Sequence, residues 1–411
     1  MSKTLKKLFT GIISLVLAMC TFVGCVSPKN SSESSTGSSA SDLASDSIGG
    51  TVESEPLKIA TTTSDLYGQA GYETDEKIIR GLHDAGFKYI DFSMYYFTED
   101  CAYMQDGWET EVLNLKAVAD ELDMEFVQAH SVGTNPLSEN VEDAEFVVEA
   151  TIRSIEICEM LGIENIVVHP GWKEGVSKQT WFNENKAFFD KLLPTAQECG
   201  VNVLCENSTR KNMGNRYYLF TGSEMREFIE FVDHPNFHGC WDTGHANCEK
   251  NDQYQDIVAL GDEMYAIHYT DNMGDADTHL LPFFGTLNHN SIMKALADIE
   301  YNGYFTMECD GAARTQNLYS GPEFPWIKAL RPNTMVMLIP QSMTAIQQEK
   351  LLYDVAEYIL KSYPTDDYVV DSSNNSSNDS TDDSGEPTIP DESEPLKIAT
   401  TTSDLYGQAG Y

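Results

Sequence analysis

The sequence predicts an α/β fold in which eight parallel strands, each followed by a helix, close into a (β/α)8 TIM barrel. Across residues 55–364, short apolar runs alternate with longer amphipathic segments. Eight such runs are present, which is the number of strands in this barrel. An open doubly wound sheet is the alternative, but no G-x-G-x-x-G motif follows an early strand candidate. The barrel is therefore the better interpretation.

The strand candidates are short apolar runs, and the segments between them have the spacing of amphipathic helices. In chain order the strands are Leu57–Thr62, Lys88–Met94, Glu125–Ser131, Asn165–Pro170, Asn202–Asn207, Phe237–Thr243, Met264–Asp271 and Tyr304–Cys309. The clearest helix candidates are Asp143–Leu161, Trp181–Cys199, Ser223–Val232 and Asn290–Glu300. Gly162, Gly200 and Gly303 are expected to follow the ends of three helices, because glycine adopts the left-handed backbone found there.

The N-terminus predicts export and lipid anchoring. Three lysines among the first seven residues precede an apolar run from Leu8 to Val23, as in a secretory signal peptide. The run ends in Phe-Val-Gly-Cys, which resembles a bacterial lipobox and makes Cys25 the lipidated residue. We therefore expect a lipoprotein signal peptide at 1–24, a disordered tether at 25–54, and an extracytoplasmic protein attached to the membrane only by its lipid. The alternative is an ordinary cleaved signal peptide with an incidental cysteine.

The C-terminal part contains a low-complexity segment and an internal repeat. Residues 365–391 form an acidic linker rich in Ser and Asp. Residues 392–411 then repeat residues 53–72 without change, including the first strand candidate. One strand alone cannot satisfy its edges, so we interpret the second copy as the start of a truncated second barrel. The alternative is a short tail that is disordered or competes with the first strand for its place.

Charge and cysteine content restrict the class of partner. The chain has 65 Asp and Glu residues against 26 Lys and Arg, a formal net charge of -39. Such a surface repels phosphate backbones, so no nucleic acid partner is expected. The nine cysteines include no C-x-x-C pair, which argues against a structural zinc cluster. Cys205, Cys240 and Cys309 lie in strand candidates, where a free cysteine behaves as a small apolar residue.

Side chains that can bind a metal ion recur at the ends of six consecutive strand candidates. Active sites of (β/α)8 barrels lie at the carboxyl ends of the strands. Carboxylates that converge there repel each other unless a cation or shared protons neutralise them. A divalent ion with mixed oxygen and nitrogen ligands meets that need. The side chains are His130, His169, Glu206, Asp242, His245, His268 and Glu308, with Asp277 and His279 in the loop after the seventh strand.

This set of residues resembles the xylose-isomerase-like barrel superfamily, which includes sugar isomerases and epimerases and the endonuclease IV type of abasic-site nuclease. The resemblance covers about Leu57 to Tyr363. It is fairly specific for the superfamily and poorly specific for the substrate. Matching the motif of the epimerase-like members residue by residue places His245 in the substrate pocket. It also implies four metal ligands: Glu206, Asp242, His268 and Glu308.

The chemistry that these residues predict is proton transfer next to a carbonyl, in an isomerase or epimerase acting on a small carbohydrate such as a sugar or polyol. The reaction needs a Lewis acid that stabilises an enediolate and carboxylates that remove and return the proton. We assign the latter role to Glu206 and Glu308. The cofactor is a divalent ion, with Mn, Mg, Co and Zn all compatible with the ligand set. Five further residues are expected to bind the substrate or a second metal ion: His130, His169, His245, Asp277 and His279.

Two other functions remain open from the sequence. The first is a carbohydrate-binding lipoprotein without catalytic activity. The second is an endonuclease IV-like phosphodiesterase, since every histidine and carboxylate of that metal site has a counterpart here. Two positions also depart from the ketose 3-epimerase pattern, because Asn212 and Gly274 stand where those relatives carry Glu and Arg. The specific substrate therefore does not follow from the resemblance.

Overall fold

A closed barrel of eight parallel strands forms the centre of the molecule, as the sequence predicts. The computed structural model describes residues 57–311 and 344–363. The strands are hydrogen-bonded in sequence order, with β8 returning to pair with β1. Their bounds are β1 Ile59–Thr62, β2 Tyr89–Ser93, β3 Glu125–His130, β4 Asn165–Val167, β5 Asn202–Glu206, β6 Phe237–Asp242, β7 Met264–Tyr269 and β8 Phe305–Met307. The predicted signal peptide, Cys25, tether, acidic linker and terminal repeat lie outside the described residues.

Helices surround the barrel and connect its strands. They are α1 Asp75–Ala85, α2 Trp108–Glu121, α3 Val141–Leu161, α4 Lys178–Cys199, α5 Arg210–Met213, α6 Gly222–Val232, α7 Thr243–Glu249, α8 Gln253–Leu260, α9 His289–Asp298 and α10 Ala345–Ser362. Helix α10 packs beside α1 and against β1, so it covers the junction where the barrel closes. In the part of the chain that the structure describes, no helix is both long and apolar enough to cross a membrane.

Glycine residues follow the ends of two helices, and an aspartate marks the point where a strand passes into a helix. Helices α3 and α4 end before Gly162 and Gly200, whose positive φ angles of 81° and 70° confirm the predicted helix ends. The prediction for α9 was wrong by two residues, because the helix ends at Asp298 and Glu300 adopts the left-handed conformation. The prediction that Thr243 belongs to β6 was also wrong. Asp242 caps α7 through its side chain, so the chain turns into a helix directly after it.

The interior of the barrel has an apolar layer and a polar layer. Successive residues of a strand point to opposite faces, so residues two apart share a face. One small cluster of buried apolar side chains contains Val167, Leu204, Cys240 and Ala266. Two residues further along three of these strands lie Glu206, Asp242 and His268, which therefore point to the same interior. The strand alternation thus places the charged groups directly above an apolar layer.

The larger apolar core lies between the barrel and its helices. Trp181 of α4 contacts Phe182 and Phe228, with the ring centroids 5.8 Å and 5.3 Å apart, and it is fully buried. Trp241 is also fully buried, and its indole N–H donates to Gln253 at 3.2 Å. Trp241 is therefore a packing residue of this core. Cys205, Cys240 and Cys309 are buried free thiols, as predicted.

Candidate metal centre

Four predicted metal ligands from four neighbouring strands meet at the carboxyl end of the barrel. Asp242 pairs in register with His268 on the next strand, and His268 pairs with Thr306. Each of the four side chains offers one ligand atom, and all these atoms lie within 4.8 Å of one another: Glu206, Asp242, His268 and Glu308. Ligand atoms about 2.0–2.6 Å from a common ion would be separated by such distances. The structure therefore brings together the set that the sequence predicts.

His268 lies between carboxylates on both sides of its ring. Its Nδ1 is 2.7 Å from Glu206 Oε1 and 3.4 Å from Glu308 Oε2. Its Nε2 is 3.3 Å from Asp91 Oδ2. Burial opposes the charged imidazolium, but the Cys240 thiol and these carboxylates outweigh it and raise the pKa of His268 well above its ordinary value. A cation bound at Nδ1 would replace the proton that this arrangement otherwise requires.

A second group of ligand-type side chains adjoins Glu206. The other carboxylate oxygen of Glu206, Oε2, is 2.6 Å from His169 Nε2. His169 Nε2 is in turn 3.2 Å from His130 Nε2. Burial and the neighbouring His169 lower the pKa of His130 to about 3, so its imidazole is neutral at physiological pH. His130, His169 and Glu206 form a further set whose ligand atoms could hold a metal ion.

A third group, His245, Asp277 and His279, adjoins Asp242 through His245, whose Nδ1 is 3.3 Å from Asp242 Oδ1. Asp277 Oδ2 is 3.1 Å from His245 Nε2, and Asp277 Oδ1 is 3.3 Å from His279 Nε2. Asn212 donates its side-chain amide to Asp277 at 2.8 Å. His279 Nδ1 is also 3.1 Å from Asp310 Oδ1, a contact that the sequence did not indicate. All nine predicted site residues therefore converge at one end of the barrel, while their individual roles stay predictions.

The two predicted catalytic carboxylates differ in their preferred protonation state. Burial raises the pKa of Glu308 to about 8, despite the opposing effect of His268. Burial also acts to raise the pKa of Glu206, but the contacts with His268 and His169 outweigh it and hold that pKa well below its usual range. Two carboxyl groups in one site, with pKa values pushed apart, are typical of an acid and base pair.

The donor set fits a divalent cation. Asp242 is fully buried, and its Oδ2 has no hydrogen-bond partner within the described ranges 57–311 and 344–363. Leaving a buried carboxylate oxygen without a partner is costly unless a cation or proton meets it. The surrounding ligands combine carboxylate oxygens with imidazole nitrogen, which suits Mn, Co and Zn, and also Mg when water completes the shell.

Three residues of the site were missed by the sequence reasoning. Asp91 is buried in β2, accepts a hydrogen bond from the Gln128 amide at 2.9 Å, and adjoins His268. Cys240 Sγ belongs to a possible ligand group with Glu206 and His268, although burial raises the pKa of this thiol to about 12. The sequence could have indicated two of these residues by their position. Gln128 and Cys240 each precede a predicted site residue by two places on the same strand face.

Other polar residues near the site serve the structure. Asp271 is fully buried, and its carboxylate accepts backbone N–H groups of Asn272, Gly285 and Leu287, which shapes the loop after β7. Arg210 forms an ion pair with Glu249. Its guanidinium also lies over the Phe220 ring, 4.0 Å from the centroid. Arg210 is therefore already engaged by neighbours.

The barrel and the convergent carboxylate and histidine side chains define a class of barrel enzyme that the sequence comparison identifies. A model of the xylose isomerase-like TIM barrel family matches residues 79–330, more than half of the chain. The protein belongs to this family.

Individual relatives are more distant. The chain is 25% identical to the L-ribulose 3-epimerase of Methylomonas sp. over 244 residues, covering 56% of this chain and 77% of that protein. It is 34% identical to "Probable endonuclease 4" of Citrifermentans bemidjiense over 92 residues, covering 22% of this chain and 31% of that protein. A solved structure of D-psicose 3-epimerase with D-tagatose from Clostridium cellulolyticum H10 superposes with a TM-score of 0.56, covering 74% of this chain and 99% of that one. At 19% identity that likeness shows the fold alone.

Proposed function

We propose that this protein is a divalent-metal-dependent isomerase or epimerase that moves a proton next to the carbonyl of a sugar, polyol derivative or related small carbohydrate. The observation that carries the proposal is the meeting of Glu206 and Glu308, from different strands, within one candidate metal-binding group. The family relationship and the epimerase relative support the same class of reaction.

The two carboxyl groups have complementary tasks in this mechanism. Glu206, held ionised by His169 and His268, removes the proton from the carbon beside the substrate carbonyl. The C–H electron pair moves into the carbon–carbon bond, and the carbonyl becomes an enediolate. Glu308, from the strand three places further around the barrel, returns a proton to the opposite face or to the neighbouring carbon. His130, His169 and His245 adjoin Glu206 and Asp242 and can hydrogen-bond to sugar hydroxyls.

The residues that would hold the cation are Glu206, Asp242, His268 and Glu308. When bound, a divalent ion supplies Lewis-acid stabilisation of negative charge on substrate oxygens. The protein fixes His268 from behind through Asp91, whose carboxylate is held by the Gln128 amide, and this orients the ring toward the centre. His130, His169, His245, Asp277 and His279 either bind the substrate or complete a second metal position.

Exchange of substrate hydrogen with solvent deuterium tests the proposal. The full chain, loaded separately with Mn, Mg, Co or Zn, is incubated in D2O with a panel of ketoses, aldoses and inososes, and exchange is read by NMR. Replacing Glu206 or Glu308 by Gln should lower exchange by about 10²–10⁴-fold, because a positioned acid or base contributes that much. The exposed Glu230→Gln variant is the matched control. Exchange that survives both active-site substitutions would contradict the mechanism, and binding of several sugars without exchange would favour a carbohydrate-binding protein.

A metal-dependent phosphodiesterase is the second candidate, and one specific observation favours it. Three groups of metal-ligating side chains adjoin one another, enough for several ions rather than one. The net charge of -39 opposes a nucleic acid substrate. Incubation of the metal-loaded chain with an abasic-site duplex distinguishes the two. The isomerase proposal would be replaced if the native chain cleaved the duplex, the Asp277→Asn variant did not, and no sugar of the panel exchanged hydrogen with the solvent.

We further propose that Cys25 carries a lipid that anchors the protein outside the cytoplasm. The apolar run and the lipobox-like sequence before Cys25 support this proposal. Incorporation of an alkyne-tagged fatty acid, compared between the native sequence and Cys25→Ser, tests it. Equal labelling of both proteins would contradict it.

A further inference from the structure

A pocket of about 500 Å³ lies between the carboxyl ends of the first two strands and helices α1 and α2. Its volume falls within the range of small-molecule sites, about 300–1,000 Å³. Hydroxyl-bearing residues at the carboxyl ends of β1 and β2, Thr63, Ser64 and Ser93, form part of its wall. The rings of Tyr67 and Tyr96 form another part. The pocket thus opens at the same end of the barrel as the metal centre.

Aromatic rings connect this pocket to the metal centre. Tyr67 and Tyr96 stack with their centroids 4.9 Å apart and their planes 10° apart. Tyr96 contacts Tyr95 at 5.1 Å, and Tyr95 lies 5.5 Å from the His130 ring and 6.1 Å from the His169 ring. We call Tyr67, Tyr96 and Tyr95 the tyrosine row. The three side chains are 48%, 39% and 38% exposed, so the row presents ring surface to solvent.

The charges around the pocket favour a neutral ligand. Glu73 is 2.6 Å from Lys77, and Glu76 is 3.0 Å from Arg80. The buried Asp75 accepts a hydrogen bond from the Tyr103 hydroxyl at 2.6 Å, and burial raises the pKa of this carboxyl. Because these carboxylates already have partners, an organic cation would have to displace those partners before it could bind. A ligand with hydroxyl groups and an apolar ring face matches the hydroxyl-bearing residues and tyrosine rings of the pocket wall.

We propose that this pocket is a second sugar subsite, so that the substrate is a disaccharide or other glycoside with its reacting unit at the metal centre. The assignment of the reacting unit rests on the proposed function. The neighbouring unit would stack on the tyrosine row and hydrogen-bond to the polar groups behind it. The protein would accordingly discriminate by chain length as well as by the configuration of the reacting sugar.

Paired binding measurements test the subsite. The full chain with Mn²⁺ is titrated calorimetrically with lactulose, isomaltulose and maltose, and with fructose, galactose and glucose as their component sugars. We expect at least one disaccharide to bind about tenfold more tightly than its components. Tyr67→Ala and Tyr96→Ala should abolish that advantage and leave monosaccharide binding unchanged, whereas Tyr67→Phe should keep it. Tyr265→Ala is the matched control, since Tyr265 is 37% exposed at the amino end of β7.

The outcomes separate this inference from the proposed function. Equal binding of disaccharides and monosaccharides, absence of binding by every sugar, or an equal loss for both lengths in the Tyr67→Ala variant would overturn the subsite. Deuterium exchange is recorded on the same samples. Exchange without a length preference would leave the proposed function and remove the subsite. Length-dependent binding without exchange would support the subsite and contradict the proposed function.

Discussion

At the scale of single residues, Asp91 controls the orientation of a predicted metal ligand. Its carboxylate lies 3.3 Å from His268 Nε2 and accepts the Gln128 amide at 2.9 Å. A carboxylate beside Nε2 favours the proton on that nitrogen and leaves the lone pair of Nδ1 directed at the metal centre. We expect Asp91→Asn to lower the affinity for Mn²⁺ or Zn²⁺ by about 10–100-fold, measured by competition with a chelating dye.

The control for this prediction is Asp190→Asn, which removes an exposed carboxylate on α4. Thermal unfolding of both metal-free variants shows whether the fold is intact. The ¹⁵N chemical shifts of the His268 ring provide a readout that a purely structural role would not move. An Asp91→Asn protein with unchanged metal affinity and an unchanged His268 tautomer would contradict the assigned role.

The nine site residues could be predicted because each lies at or just after the carboxyl end of a strand candidate, where barrel active sites form. Asp91, Gln128 and Cys240 lie within strands, and their function depends on partners more than 60 residues away or on a neighbouring strand. The register between strands, which pairs Asp242 with His268, decides which side chains meet. That register depends on the packing of the whole barrel, so the sequence did not reveal these three contacts.

At the scale of secondary structure elements, α10 carries a buried acid against the barrel. Glu349 is 2% exposed, and burial raises its pKa to about 8. The folded-state pKa of Glu349 lies above the ordinary value of 4.5. Its contribution to the free energy of unfolding is therefore complete below about pH 4.5 and is lost as the pH rises through about 8. We expect the unfolding free energy to fall between pH 5 and 9, by up to a few kcal/mol from this group.

Replacing Glu349 by Gln removes the ionisation and should reduce the loss of stability at high pH, as measured by urea unfolding at pH 5 and 9. Glu357→Gln, on an exposed position of the same helix paired with Lys361, is the control and should behave as the native protein does. Asp65, whose pKa burial and Glu349 also raise, would leave part of the pH dependence. Identical pH profiles for the Glu349→Gln and control proteins would show that α10 does not hold this acid in a low-dielectric environment.

Strand and helix bounds followed from the sequence to within a few residues, except at the carboxyl ends of strands. The prediction extended β4 to Pro170, whereas the strand ends at Val167. Val168 continues the apolar run of the sequence, but Val168 and His169 already belong to the loop that carries the site. A sequence pattern cannot separate the last residues of a strand from the first residues of the loop that follows, because both keep the same alternation of side chains.

At the scale of the whole molecule, the barrel gathers side chains from Glu206 to Glu308 around one cavity while its outer surface stays strongly acidic. Burial raises the pKa values of Asp242 and Glu308, and the excess of acidic residues also opposes their ionisation, which strengthens the need for a neutralising cation. The convergence of the candidate ligands carries this point. The substrate does not follow from the fold, because Asn212 and Gly274 depart from the ketose 3-epimerase pattern.

The metal content of the purified full chain tests the central claim most directly. After exposure to Mn, Mg, Co or Zn and exhaustive dialysis, elemental analysis should find at least one divalent ion retained per chain. Asp242→Asn and His268→Gln should lose that ion while retaining the native circular dichroism spectrum. A folded native protein that retains none of the four metals, or variants that retain as much as the native protein, would contradict the assignment of a metal centre to Glu206, Asp242, His268 and Glu308.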